Sequence, residues 1–169
     1  MKEIAMKLAL TALPLLSLLE AAALFGFFYA WVCSTMWGLD AADPRIAIEA
    51  MQAMNASVRN AVFAPVFFGT PVVTGITAFA LSRSGQTPAA LYFAAATAVI
   101  ALLAVLLTML VNVPMNENLA KLSVPTDIEA AREIWLAYSP DWQFWNQLRT
   151  VTSGIGVLLV GLGIMQIER

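Results

Sequence analysis

The feature that most constrains this chain is its set of long uncharged runs. Residues 84–116 carry no charged side chain, and neither do residues 61–81 or 150–167. A helix crosses a bilayer in about 20 mostly apolar residues, each rising about 1.5 Å. The first two runs reach that length, and the third reaches it by extending backwards through the tryptophans before Thr150. A further run, residues 8–39, is longer than one crossing and is interrupted by Pro14 and Glu20. Composition agrees, with 60% hydrophobic and 12% charged residues and a mean hydropathy of +0.78. An ordinary soluble domain carries about 25% charged residues. The expected fold is all-α: one domain, residues 1–169, forming an integral membrane four-helix bundle with spans at about 10–37, 61–82, 88–113 and 142–166.

Charge placement sets an expected orientation. Lys2, Lys7, Arg83 and Arg169 sit in short segments, whereas Arg45, Arg59, Lys121, Arg132 and Arg149 are spread over two longer loops rich in acids. The positive-inside rule then places both termini and the 82–87 turn in the cytoplasm, with the polar loops outside. The expected location is the inner (cell) membrane of a bacterium. Lys2, Lys7 and the apolar residues 8–19 resemble a secretory signal, and Ala21–Ala23 a cleavage site. Apolar residues continue to Trp37, however, which predicts an uncleaved signal-anchor helix.

Several function classes drop out. The nine basic residues are dispersed, so no nucleic-acid stripe or polybasic lipid anchor is present. Cys33 is the sole cysteine and has no internal disulfide partner. With no histidine in the chain, histidine-ligated haem, copper and iron sites and histidine acid–base catalysis are excluded. No metal-ligand set is visible, and no cofactor is expected.

The outer loops read as built structure. Asp43-Pro44 caps and starts a helix whose Ala47, Met51, Met54 and Val58 form an apolar stripe, with Gln52, Asn55 and Arg59 as a polar one. Pro65 and Pro71 are expected to kink the second span. In the third loop, Thr126 to Glu129 reads as a capping box that opens a short helix to about Tyr138. Ser139-Pro140-Asp141 then reads as the start of the last span.

Three constellations could carry chemistry. In "NVPMNENLA", Pro114 has no N–H and clashes with the Leu110 carbonyl, so the third span should kink or end there. Asn112, Asn116 and Glu117 would then either serve the freed backbone or line a polar pocket. In "WQFWNQLR", Trp142, Trp145, Asn146 and Arg149 fall on one helical face. That stripe suits a planar aromatic or anionic guest, or else forms an interfacial belt with a snorkelling arginine. Glu20 lies inside a span, about 20 Å along the helix from Lys7. It reads either as a neutral hydrogen-bonded acid or as a proton acceptor. Asn112, Asn116, Asn146 and Arg149 are expected to converge on one outward-opening pocket. Trp142 or Trp145 would be a wall, and Glu117 the counter-charge of Arg149. Thr152–Gly156, with Gly154, Gly161 and Gly163, should pack against a neighbouring helix or a second subunit, so a homo-oligomer is one expected partner state.

"GLDAADPRIAIEAMQAMNASVRNAVFAPVFFGTP", "NVPMNENLA" and "WNQLRT" together resemble the anthrone oxygenase-like family of small four-helix membrane proteins. Asn55, Asn112, Pro114, Asn116 and Arg149 match its pattern. Trp37 departs from it, since relatives often carry proline there. For fungal members the resemblance implies oxidation of an anthrone to an anthraquinone by dioxygen. An anthrone is flat and apolar, and its acidic methylene gives a carbanion whose charge lies largely on oxygen. Such a species reacts with dioxygen directly, so the protein needs a base, oxyanion donors and a dry slot. Glu117 or Glu20 would be the base, and Arg149, Asn112 and Asn116 the donors. Trp142 and Trp145 would form the walls. The competing class is non-enzymatic: a small membrane subunit, or a protein that binds lipid or a hydrophobic small molecule.

Overall fold

In the computed structural model the chain is described from Leu8 to Glu168, so Lys2, Lys7 and Arg169 lie outside the described residues. Four helices are long and apolar enough to cross a membrane: α1 (Leu10–Asp40), α3 (Phe63–Arg83), α4 (Thr87–Ala120) and α5 (Ile128–Met165). The protein is an all-helical integral membrane bundle. A shorter helix, α2 (Pro44–Ser57), lies between α1 and α3 in sequence. The spanning helices pack as a ring in which α3 touches α1 and α4, and α5 closes between α4 and α1.

Local chemistry explains the start of α2. Asp43 accepts a hydrogen bond from the Arg45 backbone N–H at 2.9 Å, and Pro44 stands in the first turn, where its missing N–H costs nothing. The Arg45 side chain also bonds Asp43 and holds its carboxyl at about 2, well below the usual carboxylate range. Ala47, Ile48 and Met51 are fully buried against Trp135, Tyr138 and Trp142 of α5. The polar stripe has a specific use: it grips the end of α4. Gln52 donates to the Leu119 and Leu122 carbonyls, Asn55 accepts from Asn116, and Arg59 pairs with Glu117 at 3.1 Å.

Three expectations about helix ends are corrected. α4 does not end at Pro114 but continues to Ala120. Immediately before the proline, Thr108–Asn112 is wound as π-helix, as is Ile100–Leu106. Bonding to the fifth rather than the fourth residue back relieves the clash that a proline ring imposes on a regular α-helix. Nor do Ser139-Pro140-Asp141 start a new helix, since α5 runs unbroken through Pro140. The carbonyl deprived of its donor belongs to Leu136, an exposed residue, and Ser139 spends its hydroxyl on Asp40 instead of on a cap. The cap of α5 is Asp127 and not Thr126, with its carboxylate accepting from Ala130 N–H at 2.8 Å.

Thr152, Gly156 and Gly163 of α5 are in contact with α4, whereas Gly154 faces Phe25 of α1. Thr152 donates to the Leu103 carbonyl at 3.0 Å, and a β-carbon on Gly156 would lie 2.6 Å from Ile100. A β-carbon on Gly163 would lie 2.8 Å from the Phe93 ring, whereas one on Gly161 would meet nothing within 4 Å. Gly156→Leu is therefore expected to destabilise the bundle by about 1–3 kcal/mol through overpacking. Gly161→Leu should be close to neutral. Melting curves in detergent check both.

Candidate functional site

At the end of the bundle capped by α2, a cavity of about 560 Å³ opens among α1, α3, α4 and α5. Its size is that of pockets for drug-sized ligands, about 300–1,000 Å³. The walls are aromatic. Phe27, Phe28 and Trp31 come from α1, Phe63 and Phe67 from α3, and Trp142 from α5. Trp31 opens a π-helical stretch (Trp31–Thr35), and Thr108, also in the lining, opens another. Each widened turn rotates the residues that follow, and such turns often mark functional sites.

Arg149 lies at the inner wall. It is 5% exposed, although it carries a permanent charge. Its Nε donates to Asn146 Oδ1 at 3.0 Å and its Nη1 to Thr108 Oγ1 at 3.2 Å. Thr108 passes its own proton to the Ala104 carbonyl, so its oxygen is free to accept. The guanidinium lies between two rings, 4.5 Å from the centroid of Phe28 and 5.1 Å from that of Trp142. Cation–π contacts of this kind are worth about 2 kcal/mol when desolvated. Removing a cation from water costs several kcal/mol, so the rings offset only part of the charge. Among the described residues no carboxylate pairs with Arg149. Its Nη2 has no hydrogen-bond partner there and is not enclosed by protein. The arrangement is an unneutralised cation with a spare donor facing an aromatic cavity.

Asn116 organises the adjoining wall. Its Oδ1 accepts from Trp142 Nε1 and from the Tyr138 hydroxyl, both at 2.8 Å, and its Nδ2 donates to Asn55 Oδ1 at 3.0 Å. An indole N–H can only donate, which fixes the orientation of the Asn116 amide and, through it, that of Asn55. Trp142 is thereby held by its nitrogen while its face meets Arg149.

Of the residues singled out in the sequence, Asn55, Asn116, Glu117, Trp142 and Arg149 line this cavity together. Asn146 and Asn112 stand behind it, fully buried. Asn146 orients Arg149 and donates to the Phe28 carbonyl, and Asn112 donates to the Trp142 carbonyl at 3.5 Å. Three expectations are corrected. Glu117 is not the counter-charge of Arg149, because it pairs with Arg59 at the half-exposed rim. Trp145 is not a wall, since it sits at the edge of the stripe and packs edge-on against Phe144, ring centroids 5.2 Å apart. Glu20 does not line the cavity and instead lies against Gly69 deeper in the bundle. Thr108 and the phenylalanines went unnoticed because spans that are apolar all round give no face signal.

The sequence model of the anthrone oxygenase family matches residues 61–159, more than half of the chain. The chain belongs to the anthrone oxygenase family. The matched region carries Thr108, Asn116, Glu117, Trp142 and Arg149, while α1 and α2 lie outside it. Neither a curated protein nor a solved structure matches the chain.

Asp40 was also missed in the sequence. At the end of α1, it accepts from Trp135 Nε1 at 2.9 Å and Ser139 Oγ at 2.7 Å with one oxygen, and from Gln143 Nε2 at 2.8 Å with the other. This clamp fixes α1, and so Phe28 and Trp31, against α5. Asp40 is itself exposed, so each of these charge-assisted bonds contributes at or below the low end of the usual range, about 1.5 kcal/mol. Asp40→Ala is expected to lower the melting temperature and weaken ligand binding together, which thermal melts with and without an aromatic ligand would show.

Proposed function

We propose that the protein oxidises a flat, weakly acidic aromatic of the anthrone type with dioxygen inside the Arg149 cavity. The observation that carries this reading is the buried Arg149, unpaired by carboxylate among the described residues and presenting Nη2 to an aromatic slot. An anionic oxygen on a planar ligand supplies what the site lacks, namely charge for the guanidinium and apolar surface for the rings.

The chemistry follows from that placement. Loss of a methylene proton leaves a carbanion whose charge passes to the ketone oxygen, where the Arg149 donor stabilises it. Glu117, paired with Arg59 at the rim, is the carboxylate in the lining and takes that proton. The carbanion passes an electron to dioxygen, the pair recombines at carbon, and the returning proton completes a hydroperoxide. Loss of the remaining hydrogen from that carbon, with cleavage of the O–O bond, gives the quinone and releases water. Four electrons leave the substrate, and one oxygen atom enters the quinone while the other leaves in water. The reaction needs no redox cofactor, because the substrate carbanion itself reduces dioxygen.

The test is oxidation of anthrone under oxygen-18 gas by protein in lipid nanodiscs. The expected outcome is quinone carrying a single labelled atom, formed with equimolar oxygen uptake and on the order of a hundredfold faster than in empty nanodiscs. Tight binding of the aromatic with no acceleration would make the protein a hydrophobic-ligand binder instead.

A further inference from the structure

Part of the cavity lining is exposed and apolar, and its chemistry differs from that of the rim beside Arg59 and Glu117. Along Thr87–Val99 and Ile100–Leu106, α4 packs against α3. Beyond Leu106 that packing falls away, so the two helices diverge where the cavity lies. The gap is lined by Phe63, Ala64 and Phe68 on one side and by Thr108, Met109 and Val113 on the other. Phe68 is 51% exposed and Met109 42% exposed. Both belong to runs without a charged residue, so the medium they face in a membrane is hydrocarbon. Water does not favour this opening. Lipid does.

From the gap an unbroken series of rings leads inwards. Phe68 touches Phe67 with centroids 4.8 Å apart, Phe67 stacks on Phe63 at 5.3 Å, and Phe63 meets Phe27 at 4.5 Å. Phe27 lies 6.5 Å from Trp31, which lies 5.1 Å from Trp142, the ring beneath Arg149. Each step is within the range of favourable aromatic contact. A planar aromatic can therefore travel from bilayer to cation while exchanging one ring surface for another.

We propose that the ligand enters the Arg149 cavity laterally, as a neutral hydrocarbon-soluble aromatic, from the bilayer through the cleft between α3 and α4. The inference rests on the reading of that cavity as a ligand pocket. It assigns Met109 and Phe68 to an entrance and makes the membrane the substrate reservoir. Residues at a gate change rates of entry and exit together and leave the equilibrium between them little altered.

The experiment follows uptake of 1-hydroxyanthraquinone, preloaded into lipid, by protein in nanodiscs, using stopped-flow quenching of tryptophan fluorescence. Met109→Trp narrows the cleft and should slow association and dissociation by about tenfold, with the dissociation constant changed less than about threefold. Met109→Ala widens it and should speed both. Since Met109 is half-exposed to lipid, neither variant disturbs the core. Ala61→Trp, placed in the exposed turn between α2 and α3 at the other side of the cavity, should leave both rates within about twofold. Entry from water predicts the reverse pattern, with Ala61→Trp slow and the Met109 variants unchanged, and that result overturns the proposal. So does failure of the wild-type protein to take up the probe. If anthrone oxidation fails while the Met109 pattern holds, the catalytic reading falls and the lateral entrance stands.

Discussion

Arg149→Lys is expected to slow anthrone oxidation by about a hundredfold or more, the order of loss seen when one donor to a developing oxyanion is removed. The charge survives this change, so a pure charge effect would leave the rate nearly intact. What lysine cannot reproduce is the planar fork that bonds Asn146 and Thr108 while keeping a further donor, Nη2, without a partner in the protein. Steady-state kinetics in nanodiscs would show the loss mainly in kcat/KM. Arg149→Met removes the cation altogether and should be inactive. Its ligand-free form should nevertheless melt close to wild type, because the donor lost to Asn146 is offset by removing a buried cation that has no carboxylate partner. The paired stability measurement separates a functional arginine from a structural one, whose loss would lower the melting temperature.

This expected melting behaviour differs from the one the sequence alone would predict. If Glu117 were the partner of Arg149, removing the arginine would strand a carboxylate. Glu117 instead pairs with Arg59, so no carboxylate is stranded, and the buried acceptor that loses its donor is Asn146 Oδ1. The sequence brought Asn116 and Glu117 forward as neighbours, but successive helical residues point about 100° apart. Asn116 turns inward to Trp142, and Glu117 turns to the rim. Trp142, Asn146 and Arg149 were readable as one face from their spacing, and that face is the buried one. Trp145, displaced from its centre, was not separable from Trp142 without knowing where α1 lies. The four spans and the amphipathic α2 were legible because charge-free runs and a proline cap have few alternative readings. Pro114 and Pro140 misled because the proline rule assumes regular α-helical bonding. A π-helical stretch precedes one, and an exposed carbonyl accompanies the other. Phe27, Phe28 and Phe67 carried no signal at all, since in a lipid-facing helix an inward phenylalanine looks like an outward one.

Asn116→Leu is the second change expected to have a large effect. Leucine fills the same space but withdraws an acceptor from Trp142 Nε1 and Tyr138, and a donor from Asn55. Each stranded polar group costs about 1–3 kcal/mol when buried, so the sum is about 3 kcal/mol or more. At about 2–4 °C per kcal/mol for a chain of this size, the melting temperature should fall by roughly 10 °C. Asn116→Asp keeps the acceptor for the indole and the phenol, and should lose less than half as much. Equal losses for the two variants would mean that the acceptor oxygen is not what holds Trp142 in place. Ligand binding should follow the same order, because Trp142 is both a wall of the cavity and the ring beneath Arg149.

The most direct measurement is an experimental structure of the protein in lipid with 1-hydroxyanthraquinone bound. The expected density lies flat among Phe28, Phe63 and Trp142, with a ligand oxygen within about 2.7–3.2 Å of Arg149 Nη2. A ligand lodged outside this cavity, or an Arg149 side chain turned away to solvent with the cavity empty, would contradict the assignment of Arg149 as the oxyanion anchor.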